Sequence, residues 1–335
     1  MNLTAYSQDL ISGATGTFTA SLSGLSPSTT YYYRAELDVY DTSASTYVTV
    51  QGEIQSFKTN AESQVPEGTG YLVNYEVPAV SLSGTGRTGK EYYDSACHWY
   101  RYNCSDANRA VATHTWTSNN KEMRNYTVMM DATTKSPVWC AFAMHADAWK
   151  DNNVGRNEGW HKDPAFEDDD KWQQTGISGS YSKGHLCASN YRQTTTNQNK
   201  QTFYYTNQAP QWQTSFNDGV WNQLENAVKA AAPSGRDTLY VVVGTLFEDD
   251  KTSSGIRIPS HFYKCLMKCS FNASGEMTAA TGCAYIFTNE SHSGAKYTNF
   301  ITSIDAIEER SGIDFFPRVP EELQTAAEKN KTSIF

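Results

Sequence analysis

The 335-residue sequence contains no apolar run close to the roughly 20 residues that cross a bilayer, which argues against a membrane-spanning helix. It has no HExxH or CxxC spacing, so a zinc enzyme is a weak hypothesis. It also lacks an excess of basic residues, since 27 Lys and Arg face 36 Asp and Glu and the formal net charge is −9. That balance argues against a broad basic surface that binds nucleic acid by counterion release, but it leaves open a local site around a divalent cation.

No signal peptide follows Met1, so we expect either a cytosolic protein or a shortened form of an exported one. The seven cysteines favour export, because so many thiols without a CxxC pair predict two or three disulfides and at least one free thiol. The alternative is that they are small buried hydrophobic residues. The expected location is therefore secreted, periplasmic or at the cell surface.

The first sixty residues carry strand patterns only. The segment from Leu25 to Arg34 resembles the Leu-x-Pro-x-Thr-x-Tyr-x-x-Arg pattern of fibronectin type III domains. Such a domain needs about 100 residues and seven strands, so residues 1–60 would supply only its last three or four strands. A polar linker at 61–69 and a main domain at 70–335 follow.

The main domain mixes strands with few helices, which predicts an α+β fold. Apolar residues at helical spacing predict a helix from Phe216 to Ala232, ended by the Pro233-Ser234-Gly235 turn. A polar segment over residues 147–180 is expected to be a long loop. Strands are predicted at 71–80, 137–144 and 238–243, and a hairpin at 262–271 and 277–287.

Three residues of this domain could carry acid–base and metal chemistry. His185 follows Gly184, and an imidazole with a pKa of about 6.5 is suited to take a proton from water, although a lone histidine is more often structural. Asn217 and Glu225 share a helix face about 12 Å apart along the axis. The Asn217 amide oxygen could bind Mg²⁺, and Glu225 could reach one of the waters of the ion. The alternatives are a helix N-cap for Asn217 and a solvated side chain for Glu225.

Three ordered motifs around these residues resemble the DNA/RNA non-specific endonucleases of the ββα-metal class. Ser182-Lys183-Gly184-His185 is similar to the family's Asp-Arg-Gly-His, and residues 207–211 are similar to Asn-x-x-Pro-Gln. Residues 217–225 match Asn-x-Gly-x-Trp-x-x-Leu-Glu, and Arg156 lies in a segment similar to the family's conserved-arginine region. The resemblance spans about residues 70–320.

The resemblance implies a ββα-metal nuclease domain with a central, mainly antiparallel sheet flanked by helices. It implies Mg²⁺-dependent, or Mn²⁺-dependent, sequence-non-specific hydrolysis of DNA, RNA or both to 5′-phosphate products. The implied roles are general base for His185, direct metal ligand for Asn217, orientation of a metal-bound water for Glu225, transition-state stabilisation for Arg156, hydrogen-bonded support for Asn207 and phosphate contact for Lys183.

Ser182-Lys183 departs from the Asp-Arg of the family pattern. Lysine keeps the positive charge but loses the planar fork of arginine, and serine removes a carboxylate. This departure and the acidic net charge motivate an alternative function, in which an inactive relative binds nucleic acid outside the cell or serves as an adhesion module. The presence of His185, Asn217 and Glu225 together favours the enzyme.

Overall fold

The computed structural model describes residues 30–58, 74–118, 120–156, 159–167 and 170–335. Contacts divide the chain into two units, Met1–Gln64 and Val65–Phe335. In the described part of the first unit, β1 (Thr30–Tyr33) pairs with β4 (Gln55–Lys58), and β2 (Glu36–Asp41) pairs with β3 (Thr46–Gln51). Both pairs are antiparallel, and all the regular elements in this described part are strands, as the sequence patterns predict. The fibronectin-like pattern falls partly on residues 25–29, outside the described residues, and stays a prediction.

A nine-stranded antiparallel sheet forms the centre of the second unit. The strands of this unit are β5 (Leu82–Lys90), β6 (His98–Cys104), β7 (Arg109–Ser118), β8 (Lys121–Asp131), β9 (Ser136–Met144), β10 (Tyr181–His185), β11 (Gln208–Trp212), β12 (Thr238–Leu246), β13 (Thr252–Ser253), β14 (Ile256–Arg257), β15 (His261–Phe271), β16 (Met277–Thr288) and β17 (Ile301–Thr302). The order in the large sheet is β17-β16-β15-β12-β9-β8-β7-β6-β5, which confirms the expected central antiparallel sheet.

Helices cover both faces of the sheet. They are α1 (Thr196–Gln201), an irregular π-type segment (Gln213–Trp221), α2 (Asn222–Ala230), α3 (Ile304–Ser311) and α4 (Glu321–Glu328), with 3₁₀ turns at Ser189–Tyr191, Tyr205–Asn207 and Tyr297–Phe300. None of the described helices is long and apolar enough to span a membrane.

Alternation along the strands produces two apolar clusters, one on each face of the sheet. In β12, Leu239 and Val241 belong to the cluster that contains Trp221 and Leu224 of the helical layer. Tyr240 and Val242, which alternate with them along the strand, belong to the cluster that contains Ile307 of α3 and Ala327 of α4. The domain is therefore a three-layer α+β structure, and the β10–β11 pair lies in the same layer as α2.

Two of the local predictions have different outcomes. The helix expected over residues 216–232 is confirmed for most of its length, although its beginning is kinked, with a φ of 63° at Ser215 and a ψ of −110° at Gly219. The strand expected at 71–80 is wrong over its described part, 74–80. There the Val77 amide closes a turn onto Asn74 and the Ala79 amide bonds to Asp314, so no strand ladder forms.

All seven cysteines are free, buried thiols, so the expectation of two or three disulfides is wrong. Cys97 directly precedes β6, and Cys104 is its last residue. Seven residues of strand at about 3.3 Å each place their Cα atoms about 23 Å apart. A disulfide needs Cα atoms roughly 6 Å apart. The thiols instead serve as small core residues, and the cysteine argument for export loses its support.

Candidate active site

The β10–β11 pair and the helix that follows it assemble the candidate residues. Ser182 lies opposite Gln211, and His185 lies opposite Gln208. From β11 the chain passes directly into the helical segment that carries Asn217 and then Glu225. Two antiparallel strands followed by a helix are the ββα arrangement that the sequence predicts.

Close packing across the strand pair explains the glycine before His185. A Cβ atom at Gly184 would lie 2.4 Å from the Gln211 Oε1 and 2.6 Å from the Gln211 Cβ. Real Cβ atoms do not approach other heavy atoms so closely, so only glycine lets the two strands meet in this geometry. The glycine therefore positions the histidine.

Five of the six predicted site residues line one pocket of about 640 Å³. They are Arg156, Lys183, His185, Asn217 and Glu225. The sixth, Asn207, is fully buried outside the pocket lining. Its side chain accepts from the Cys187 amide (2.8 Å) and donates to the Cys187 (2.9 Å) and Thr202 (2.8 Å) carbonyls. These bonds fix the segment that follows His185.

His185 lies at the end of β10 against two aromatic rings. The Trp160 and Phe203 ring centres lie 4.7 and 5.1 Å from that of the imidazole. The Nε2 atom is buried and has no hydrogen-bond partner among the described residues. Burial, and after it the positive charge of Arg156, lower the pKa of His185 to about 3. The imidazole is therefore neutral near pH 7 and has a lone pair available to accept a proton.

Asn217 is inside the helical segment rather than at a regular N-cap. The N-cap residue of this segment is Trp212, and that of α2 is Trp221. Neither side chain makes a capping hydrogen bond. The Asn217 Nδ2 donates instead to the Ser182 hydroxyl in β10. The N-cap alternative is thus not realised, and the half-buried amide faces the pocket across from the strand pair.

Glu225 reaches the pocket two turns later, and a buried lysine lies behind it. The Lys264 Nζ on β15 is 4.4 Å from the Trp221 ring centre and 3.4 Å from the Tyr191 hydroxyl. The Tyr191 hydroxyl donates to the backbone carbonyl of Glu225 at 3.1 Å. Burial raises the pKa of Glu225, whereas the cations of Lys264 and Arg156 act in the opposite direction. Burial likewise lowers the pKa of Lys264 to about 8.

Arg156 and Lys183 supply positive charge to the pocket. The Arg156 guanidinium lies 5.3 Å from the Phe203 ring centre, and its Nη1 donates to the Ser189 hydroxyl at 3.4 Å. Lys183 lies in β10 between Ser182 and Gly184 and also lines the pocket. Two cations, a neutral imidazole, an amide and a carboxylate around one pocket are suited to bind and hydrolyse a phosphodiester.

The comparison with protein families shows to which family the chain belongs. The family model described as DNA/RNA non-specific endonuclease matches residues 104–322, about two thirds of the chain. The chain belongs to this family. The resemblance drawn from the three sequence motifs is confirmed, and the protein is a nuclease.

The nuclease is similar to the "Nuclease" of Serratia marcescens, with 25% identity over 220 residues that cover 62% of this chain and 79% of the relative. It is also similar to human mitochondrial endonuclease G, with 24% identity over 214 residues that cover 59% and 70% of the two chains. A chain in a crystal structure of an EndoG/EndoGI complex is 19% identical, with a TM-score of 0.49, and the match covers 62% of this chain and 88% of that one.

Sequence reasoning assigned no role to two residues at or next to the candidate site. Ser182 was identified only as a departure from the family pattern, and its contact with Asn217 needs the strand and the helix to be placed in three dimensions. Lys264 lies in an apolar strand between Tyr263 and Cys265. A charged residue inside such a buried strand is unusual, and this is the sequence feature that could have identified it.

Proposed function

We propose that this nuclease hydrolyses phosphodiester bonds of DNA, RNA or both without sequence preference, uses a divalent cation such as Mg²⁺ or Mn²⁺, and leaves 5′-phosphate ends. The observation that carries the proposal is the convergence of His185, Asn217, Glu225 and Arg156 on one pocket. These side chains come from three separate parts of the chain, the loop of Arg156, β10 with His185, and the helical segment that carries both Asn217 and Glu225, and only the tertiary fold brings the three together.

In the proposed reaction His185 accepts the proton of the attacking water. A base with a pKa of about 3 is available at neutral pH but weak, because basicity falls with pKa. Substrate binding would offset the smaller of the two causes, the positive charge of Arg156. When a phosphate pairs with Arg156, the positive charge that lowers the pKa of His185 is neutralised, and the negative phosphate favours the protonated imidazole. Substrate binding thus raises the basicity of His185 where the reaction needs it.

Asn217 and Glu225 fit a divalent cation that keeps most of its waters. Amide and carboxylate oxygens are the hard donors that Mg²⁺ accepts, and this ion commonly uses few protein ligands. Asn217 would bind the ion directly and Glu225 would hold one of its waters. When bound, the ion would stabilise negative charge on the phosphate and on the leaving 3′ oxygen.

Arg156 and Lys183 would bind phosphate oxygens. Arg156 is placed to stabilise the charge that builds up on phosphorus in the transition state, and Lys183 acts as a point charge without the bidentate geometry of arginine. Because these contacts are to phosphate rather than to base edges, they carry no sequence information. This accounts for the proposed lack of sequence preference.

Cleavage of supercoiled plasmid and of single-stranded RNA, with Mg²⁺ and with EDTA, tests the proposal. We expect cleavage only with the metal, and products that accept a kinase label only after phosphatase treatment. His185→Ala should reduce the rate by about 10²–10⁴-fold, the usual contribution of a general base. His145→Ala is the matched control, because His145 lies outside the pocket lining and should have no effect.

Circular dichroism and a thermal melt would establish that both variants fold. Cleavage that continues unchanged in EDTA would refute the metal requirement. Full activity of a folded His185→Ala protein would refute the base assignment. A wild-type protein that binds but does not cut nucleic acid would favour the alternative of an inactive binding module.

A further inference from the structure

The Ser182 hydroxyl joins both strands of the pair to the helix. It donates its proton to the Gln211 carbonyl across the β10–β11 pair at 3.3 Å. The same oxygen accepts a hydrogen bond from the Asn217 side chain. A single serine atom therefore links three segments of the site: β10, β11 and the helical segment that leads to α2.

The hydrogen-bond balance at this hydroxyl determines which way the Asn217 amide points. A serine hydroxyl has one proton and two lone pairs. Because the proton of Ser182 goes to the Gln211 carbonyl, the oxygen can only accept from Asn217. The NH₂ end of the amide must then face Ser182, and Oδ1 must point away from it. The orientation of an asparagine amide is generally assigned from such networks, and with the Ser182 proton on the Gln211 carbonyl the network gives this orientation.

The backbone before Asn217 limits where the amide can lie. Ser215 adopts a left-handed conformation with a φ of 63°, and its amide donates to the Asp218 Oδ1 at 2.6 Å. The Ser215 hydroxyl also meets the Ser291 hydroxyl at 2.8 Å. A turn held in this way places Asn217 opposite Ser182 and leaves the rotation of its amide as the remaining freedom. Ser182 removes that freedom.

We propose that Ser182 is a positioning residue that presents the Asn217 Oδ1 to a divalent cation, and that its neutrality limits the affinity of the site for that ion. The inference rests on the proposed metal role of Asn217. An aspartate at position 182 would accept the same bond from Asn217 and would add one negative charge beside the cation. The serine therefore retains the orientation but contributes no charge attraction.

Three substitutions separate orientation from charge, with Mn²⁺ binding in the absence of nucleic acid as the readout, measured by electron paramagnetic resonance. Ser182→Ala removes the acceptor, and we expect about fivefold weaker binding, the factor typical of one neutral hydrogen bond. Ser182→Thr keeps the hydroxyl and should bind within about twofold of wild type. Ser182→Asp keeps the acceptor, adds charge and should bind about tenfold more tightly at low salt.

Asn217→Ala distinguishes failure of this inference from failure of the proposed function. Loss of Mn²⁺ binding in folded Asn217→Ala, with wild-type binding in Ser182→Ala, would overturn the role of Ser182 alone. Equal affinity of the Ser182→Asp and wild-type proteins would overturn the charge argument. Wild-type binding in Asn217→Ala would overturn the metal role on which the inference rests. Circular dichroism of each variant shows that the comparison is between folded proteins.

Discussion

A buried histidine supports the wall of the site and gives a quantitative prediction. His114 on β7 is fully buried between two buried carboxylates, with its Nδ1 3.3 Å from the Glu91 Oε1 and its Nε2 3.0 Å from the Asp163 Oδ2. Asp163 belongs to the same short segment as Trp160, whose ring packs against His185. The ion pairs thus hold the wall of the candidate site to the sheet.

The size of the effect follows from the pKa. Burial by itself would lower the pKa of His114, but Asp163 and Glu91 together outweigh it and raise the pKa to about 9. In the unfolded chain the pKa is about 6.5. Because the folded value is the higher one, the stabilisation is complete below pH 6.5 and is lost as the pH rises through 9. The difference corresponds to about 3 kcal/mol of unfolding free energy.

The perturbation is His114→Gln, which removes the cation and leaves two buried carboxylates. We expect a loss of about 3–5 kcal/mol near pH 6.5, the usual cost of breaking a buried ion pair. By pH 9.5 this loss should shrink by about 3 kcal/mol, since the wild-type histidine has then given up its proton. Urea unfolding at intervals between these pH values measures the difference, and titrating groups that do not contact His114 cancel because both proteins share them.

His145→Gln is the control, since His145 is not placed between buried carboxylates, and its effect on stability should not change with pH in this way. A destabilisation by His114→Gln that is the same at pH 6.5 and pH 9.5 would refute the charged-histidine interpretation. It would mean that His114 is neutral in the folded protein and acts only through hydrogen bonds.

Two further predictions concern the pocket itself. Gly184→Ala should lower the cleavage rate at least tenfold, because the new Cβ would come within 2.4 Å of the Gln211 side chain across the strand pair. Gly159→Ala is the control and should be neutral, because a Cβ there would meet open space. Equal cleavage rates for the two variants would contradict this prediction. Lys264→Met removes the cation that favours ionised Glu225, so the acid limb of the pH–rate profile should move to higher pH. An unmoved limb in the folded variant would show that Lys264 has no such effect.

The local parts of the site could be predicted from the sequence because they depend on local periodicity. The helical spacing of Trp221, Leu224 and Val228 places one face of α2 in the core, and all three side chains are buried. That face fixes which side chains of the helix can turn toward β10. The motif around His185 and the motif around Asn217 therefore predict that β10 and the helix lie next to each other at one site.

The remaining parts depend on contacts between distant segments, which periodicity does not report. Glu91, His114 and Asp163 meet only because β7 passes beneath the loop that precedes β10, and no local pattern marks them as partners. The cysteines illustrate the same limit. Their number predicted disulfides, but the fold buries each thiol in the protein core, where burial rather than pairing explains it.

The balance of charge in the pocket links the acidic chain to its proposed substrate. Two cations, Arg156 and Lys183, line the pocket together with two carboxylates, Asp218 and Glu225, so its formal charge is zero. A neutral pocket on a chain of net charge −9 attracts a polyanion weakly, and a bound divalent cation would supply most of the local positive potential. A carboxylate in place of Ser182 would bind the ion more tightly but would also cancel part of that potential. If Asn217 binds the ion as proposed, the serine would therefore favour attraction of the nucleic acid over retention of the metal.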